Sequence, residues 1–86
     1  MKKIWVDEAW EEYLFWLKED KKILKRINDL IKDIDRNKNK GIGKPEALRF
    51  ELSGFWSRRI NSEHRLIYKI ENNSIYIISC KGHYKS

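Results

Sequence analysis

The sequence predicts an α+β fold, in which an N-terminal strand and a helical hairpin pack on a largely antiparallel, twisted sheet. Apolar residues recur at the helical period through 7–36. From Ala47 onward, short runs rich in Ile, Leu, Tyr and Phe alternate with turn-forming residues. Helices first and strands afterwards put the helices on one face of a meander. At 86 residues the whole chain, 1–86, suits one domain without repeats or a separate substrate domain. Any chemistry must then sit on a surface or in a shallow groove.

The first strand is the apolar-leaning run 1–6, with Ile4 and Val6 on one side and Trp5 on the other. Asp7 stands where a helix cap is expected, and Glu8 falls in the first turn, where the helix dipole favours it. Ala9, Trp10, Tyr13, Leu14 and Leu17 form the inward stripe of that helix, widened by Phe15 and Trp16. So many aromatics could stack on bases, yet their spacing fits a packed helix face better. Asp20 is a second cap, and Ile23, Leu24, Ile27, Leu30, Ile31 and Ile34 repeat every three to four residues after it. The other face, Lys22, Lys25, Arg26, Asp29, Lys32, Asp33 and Arg36, reads as a solvated face with neighbouring opposite charges.

Residues 37–45 have the Asn, Gly and Pro content of a loop, and Lys38, Lys40 and Lys44 could lie along a phosphate backbone or simply face water. Leu48-Arg49-Phe50-Glu51-Leu52 reads as extended. Ser57-Arg58-Arg59-Ile60 and the run from Arg65 to Ile70 form a hairpin joined at Asn61-Ser62-Glu63. Alternation puts His64, Leu66, Tyr68 and Ile70 on one face and Arg65, Ile67 and Lys69 on the other. Only one of Arg58 and Arg59 can turn toward a given face. Asn72-Asn73 tolerates the positive φ of a tight turn before the last strand, 74–80, in which Cys80 is a small core residue.

Nineteen Lys and Arg stand against thirteen Asp and Glu, a net charge of +6. The excess is uneven, with 11 basic and 9 acidic residues in 1–43 but 8 and 4 in 44–86, so the second half is the phosphate-facing half. A single cysteine excludes an internal disulfide, and Cys80 with His64 and His83 is too few and wrongly spaced for zinc. A reduced protein without metal or cofactor is expected. Charges at Lys2, Lys3, Asp7, Glu8, Glu11 and Glu12 interrupt any signal peptide or membrane span, making the cytoplasm the default location.

Four motifs occur in order: Lys44-Pro45-Glu46, Leu52-Ser53-Gly54-Phe55-Trp56-Ser57-Arg58-Arg59-Ile60, Glu63-His64-Arg65-Leu66 and His83-Tyr84. Through them the chain resembles the Txe/YoeB family of RelE-like toxins, small endoribonucleases of bacterial toxin–antitoxin pairs. Ile4-Trp5 and Trp10-Glu11-Glu12-Tyr13 extend the likeness over nearly the whole chain. The loop 37–45 departs from that family's pattern, which more often has a Pro and an aromatic there.

The resemblance implies a RelE-like, microbial RNase-like fold and ribosome-dependent cleavage of mRNA in the decoding site. RNA cleavage through its own ribose needs a base for the 2′-OH, a cation for the developing charge and an acid for the 5′-oxygen. The positions matching the family's catalytic residues are Glu46 as base, Arg65 as phosphate clamp and His83 as acid, with Tyr84 stacking on a base or bonding phosphate. Lys44, Arg49, Arg59 and Glu63 complete the RNA-binding set, Arg59 being the arginine of its pair that matches. Without the resemblance, Glu46 is an ordinary exposed carboxylate, Arg65 a surface hairpin arginine and His83 an exposed terminal residue. The resemblance further implies an acidic antitoxin with a segment that folds on binding, and a homodimer. The rival reading is a non-enzymatic RelE-like binding module or a gyrase-directed toxin, which has use for the arginines but none for Glu46.

Overall fold

A computed structural model of the chain describes residues 1–83. The order is β1 (Lys2–Trp5), α1 (Asp7–Glu19), α2 (Lys21–Asn37), β2 (Glu46–Ala47), a 3-10 turn (Phe50–Leu52), β3 (Trp56–Arg59), β4 (Arg65–Glu71) and β5 (Ser74–Ser79). The strands form one sheet in the order β1-β5-β4-β3-β2. β2, β3, β4 and β5 pair antiparallel, and β1 joins β5 in parallel. The α+β class read from the sequence is therefore the observed one.

Helix α2 forms as its periodicity dictates. The Asp20 carboxylate accepts from the amides of Lys22 and Ile23, satisfying two donors that the first turn leaves unpaired. Ile27, Leu30, Ile31 and Ile34 are buried against Leu66, Tyr68, Ile75, Ile77 and Cys80 of the sheet side, with Ile23 and Leu24 packed at the margin. The Asn72-Asn73 turn adopts φ of 53° and 56°, the left-handed pair a two-residue hairpin demands.

Three expectations need correction. The cap of α1 is Val6, without a side-chain cap bond, because Val6 continues β1 by donating to the Ile77 carbonyl; Asp7 lies inside the first turn. The inward stripe of α1 is Ala9, Glu12, Tyr13 and Trp16, while Trp10, Leu14, Phe15 and Leu17 are exposed. The end of β5 sets that stripe, since the Cys80 amide donates to the Glu12 carboxylate at 2.7 Å and Trp16 Nε1 to the Cys80 carbonyl at 3.0 Å. Lastly, the run 48–52 is no strand. Pairing stops after Ala47, Phe50 takes φ 57° and Gly54 φ 95°, and the chain coils through the 3-10 turn before β3 returns.

One irregularity positions the C-terminal tail. Between β4 and β5 the register advances one residue at Ile67–Tyr68 while β5 advances two, leaving Ile78 extra. The bulge inverts the alternation, so Cys80 joins Ile75 and Ile77 in the core although its number has the opposite parity.

Candidate functional site

Directly paired residues share a sheet face. Glu46 opposes Ser57, Ser57 opposes Ile67, and Arg59 opposes Arg65. With period-two alternation, Glu46, Ser57, Arg59, Arg65 and Ile67 all lie on one face. The other face carries Trp56, Leu66 and Tyr68 into the helices. The helix-free face is thus floored by buried Ser57 and Ile67, and Glu46 and Arg59 stand exposed on it.

The Arg65 guanidinium is held from one side, its Nη1 donating to the carbonyls of Asn61 at 2.8 Å and His64 at 3.2 Å. A guanidinium has five N–H donors, so the fork keeps capacity for a bidentate anion such as phosphate. The Arg65 amide donates to the Gly82 carbonyl at 2.9 Å, which brings the segment entering His83 alongside the start of β4. Three separate parts of the sequence, at 46, 59–65 and 82–83, thereby meet at one end of the sheet. His83 is exposed. Tyr84 lies outside the described residues.

The remaining positions are less tightly assembled. Lys44 is exposed at the loop end, two residues before Glu46, and Arg49 is exposed where the 3-10 turn begins; strand pairing ties neither to the Glu46 face. Glu63 sits in the hairpin loop with its carboxylate 3.8 Å from His64 Nε2. Among the described residues no three His, Cys, Asp or Glu side chains gather as a metal site would, and no helix is long and apolar enough to cross a membrane.

Sequence reasoning missed Arg58. Alternation turns it away from Arg59 into the protein, where it is 0% exposed. Its guanidinium pairs with Asp33 and donates to the carbonyls of Lys38 at 2.6 Å, Lys40 at 2.7 Å and Ile42 at 3.0 Å, while Nε donates to the Tyr68 hydroxyl at 3.2 Å. The loop 37–45 is therefore wrapped around a buried cation, and Asp33 belongs to that network rather than to a solvated helix face. Gly43, at φ 80°, makes the wrap possible: a Cβ there would lie 2.8 Å from Leu30 Cδ2, and its carbonyl accepts from the Arg59 amide at 2.7 Å. Loop and hairpin are thus joined immediately before Lys44-Pro45-Glu46.

The ionisable groups behind the site respond to this packing. The bonds from Arg58 foremost hold the Asp33 carboxyl below the ordinary carboxylate range, and Lys3 foremost does so for Asp35. Burial raises the Tyr68 hydroxyl. Burial, with the Glu12 charge second, pushes the Cys80 thiol up to about 12.

The described residues thus form a small α+β fold with helices on one side of the sheet and Glu46, Arg59 and Arg65 on the open other side, beside the segment that enters His83. Residues 5–84 match the family of YoeB-like toxins of bacterial type II toxin–antitoxin systems. The chain is 54% identical to Toxin YoeB of Escherichia coli over 84 residues, 98% of this chain and all of that one. Among solved structures, the YoeB dimer from Staphylococcus aureus superposes with a TM-score of 0.92 at 49% identity, covering 98% of each chain. The YoeB-YefM complex from the same organism gives 0.92 at 48% identity with the same coverage. The chain belongs to the YoeB-like toxins of type II toxin–antitoxin systems.

Proposed function

We propose that this toxin is a metal-independent endoribonuclease that cleaves mRNA in the ribosomal decoding site and so inhibits translation. One observation carries the reading: Glu46, Arg59 and Arg65 share an open sheet face, and the Arg65 amide holds the tail that leads into His83. Glu46 takes the proton of the ribose 2′-OH, and the freed oxygen attacks the adjacent phosphorus. Arg65 stabilises the charge on the non-bridging oxygens, and the P–O5′ bond breaks as His83 protonates the departing 5′-oxygen. The products are a 2′,3′-cyclic phosphate, opened to a 3′-phosphate by water, and a 5′-hydroxyl.

Arg59, Lys44 and Arg49 hold the RNA backbone, Glu63 orients the hairpin end, and Tyr84 stacks on a base or bonds phosphate. The whole chain acts as one toxin domain. A face this shallow does not enclose RNA, so the ribosome supplies the alignment that makes attack efficient. An antitoxin partner is supported by the YoeB-YefM complex of S. aureus, and on this reading an acidic segment of it folds over the basic face and blocks it; the protein pairs with a second copy, as the S. aureus dimer does.

The test is cleavage of a defined mRNA by metal-stripped protein, with and without programmed ribosomes, with both new ends mapped. Ribosome-dependent cutting that leaves a cyclic or 3′-phosphate supports the reading. Absence of cutting in both arms, with RNA binding retained, would favour the non-enzymatic module.

A further inference from the structure

The tail is gripped at every residue from Ser79 to Gly82. Glu12 accepts from the Ser79 hydroxyl and the Cys80 amide, the Cys80 thiol reaches the Ala9 carbonyl at 3.7 Å, and Trp16 donates to the Cys80 carbonyl. The last grip is of another kind. The Gly82 amide donates to His64 Nδ1 at 2.9 Å, while the Gly82 carbonyl accepts from the Arg65 amide. A ring nitrogen that accepts from a backbone N–H carries no proton, so His64 Nδ1 serves here as a bare acceptor. The other ring nitrogen, Nε2, lies 3.8 Å from the Glu63 carboxylate. Trp16 meets the imidazole edge to face at 4.8 Å and 69°, fixing the ring plane.

We infer that His64 is the positioning residue of the C-terminal tail: its bare Nδ1 anchors the Gly82 amide, keeps His83 beside Arg65, and gives up that anchor on protonation. The catalytic consequence rests on the nuclease reading above; the anchor itself does not. Once Nδ1 gains a proton it becomes a donor facing a donor, and the Gly82 amide loses its acceptor. The ionisable groups that face His64 or its neighbours are Glu63 beside the ring, Arg65 on the His64 carbonyl, and Glu12 of α1 on the Cys80 amide, while Lys81 and His83 flank Gly82 in the tail. Lys81 is drawn aside over the Phe15 ring at 4.6 Å.

Two substitutions separate the anchor from mere packing. His64→Leu keeps an apolar partner for Trp16 but removes the acceptor; His64→Asn places an amide oxygen close to the Nδ1 position and cannot titrate. In H64L, Gly82 amide hydrogen exchange should quicken about tenfold, the worth of one such bond. kcat for mRNA cleavage on programmed ribosomes should fall by up to about 10²-fold with KM little changed. H64N should restore both.

Unchanged Gly82 exchange in H64L would overturn the anchor, and H64N behaving like H64L would show that the acceptor is irrelevant. Faster exchange with unaltered kcat would refute the positioning role. Should wild type not cleave at all, the nuclease reading fails while Gly82 exchange still judges the anchor. If H64L does not fold, wild type alone decides: the Gly82 amide resonance must shift with the same midpoint as the His64 ring, and an indifferent Gly82 would contradict the inference.

Discussion

At the residue scale, two arginines adjacent in sequence have opposite fates. Arg58 is fully buried among carbonyls and a carboxylate, and Arg59 is exposed on the open face. Strand alternation foretold that they diverge; that the inward one would hold a loop did not show in the sequence, because burial of a charge depends on acceptors that only tertiary structure assembles. Glu46, Arg65 and His83 were legible only as a motif, since each alone is an unremarkable surface residue. Glu46→Ala and His83→Ala should each slow single-turnover mRNA cleavage by about 10²–10⁴ with the fold intact by circular dichroism. Cys80, with its thiol pushed up to about 12, should resist iodoacetamide at pH 8.5 in the folded protein and react once urea unfolds it.

At the element scale, legibility follows how strongly each segment is specified locally. α2 carries a cap and an uninterrupted apolar period, and it folds as read. α1 carries apolar residues nearly all round, so its inward face is chosen by the end of β5 through Glu12 and Trp16. Residues 48–52 look extended until the positive φ of Phe50 is known. The loop 37–45 gains order from Arg58, so Arg58→Met, which strips Asp33 of its cation and three carbonyls of their donor, should cost about 3–5 kcal/mol in urea unfolding. Because Asp33 is held below its unfolded value, its stabilisation is complete above about pH 4 and fades as pH drops toward its lowered native value. The melting temperatures of wild type and Asp33→Asn should accordingly differ most near neutrality and converge below about pH 4.

At the scale of the whole molecule, the order β1-β5-β4-β3-β2 sets the first strand beside the last, and after the bulge at Ile78 the Gly82 carbonyl meets the Arg65 amide. Composition foretold a basic second half, but neither the parallel pairing of β1 with β5 nor the bulge has a local signature: the pairing joins residues 72 positions apart, and the bulge is a shift in how β5 registers on β4. A face built on Arg59 and Arg65 should bind single-stranded RNA less tightly as salt rises. Arg59→Ala should reduce the slope of log affinity against log salt by about 0.7 if it neutralises one phosphate.

The most direct measurement is cleavage, on programmed ribosomes, of an mRNA carrying a single 2′-deoxynucleotide at the scissile position. Attack by the ribose oxygen, with Glu46 as its base, predicts that the all-ribose message is cut there and the deoxy message is not, while both bind the ribosome equally. Cutting of the deoxy message at the same bond and a comparable rate would contradict it.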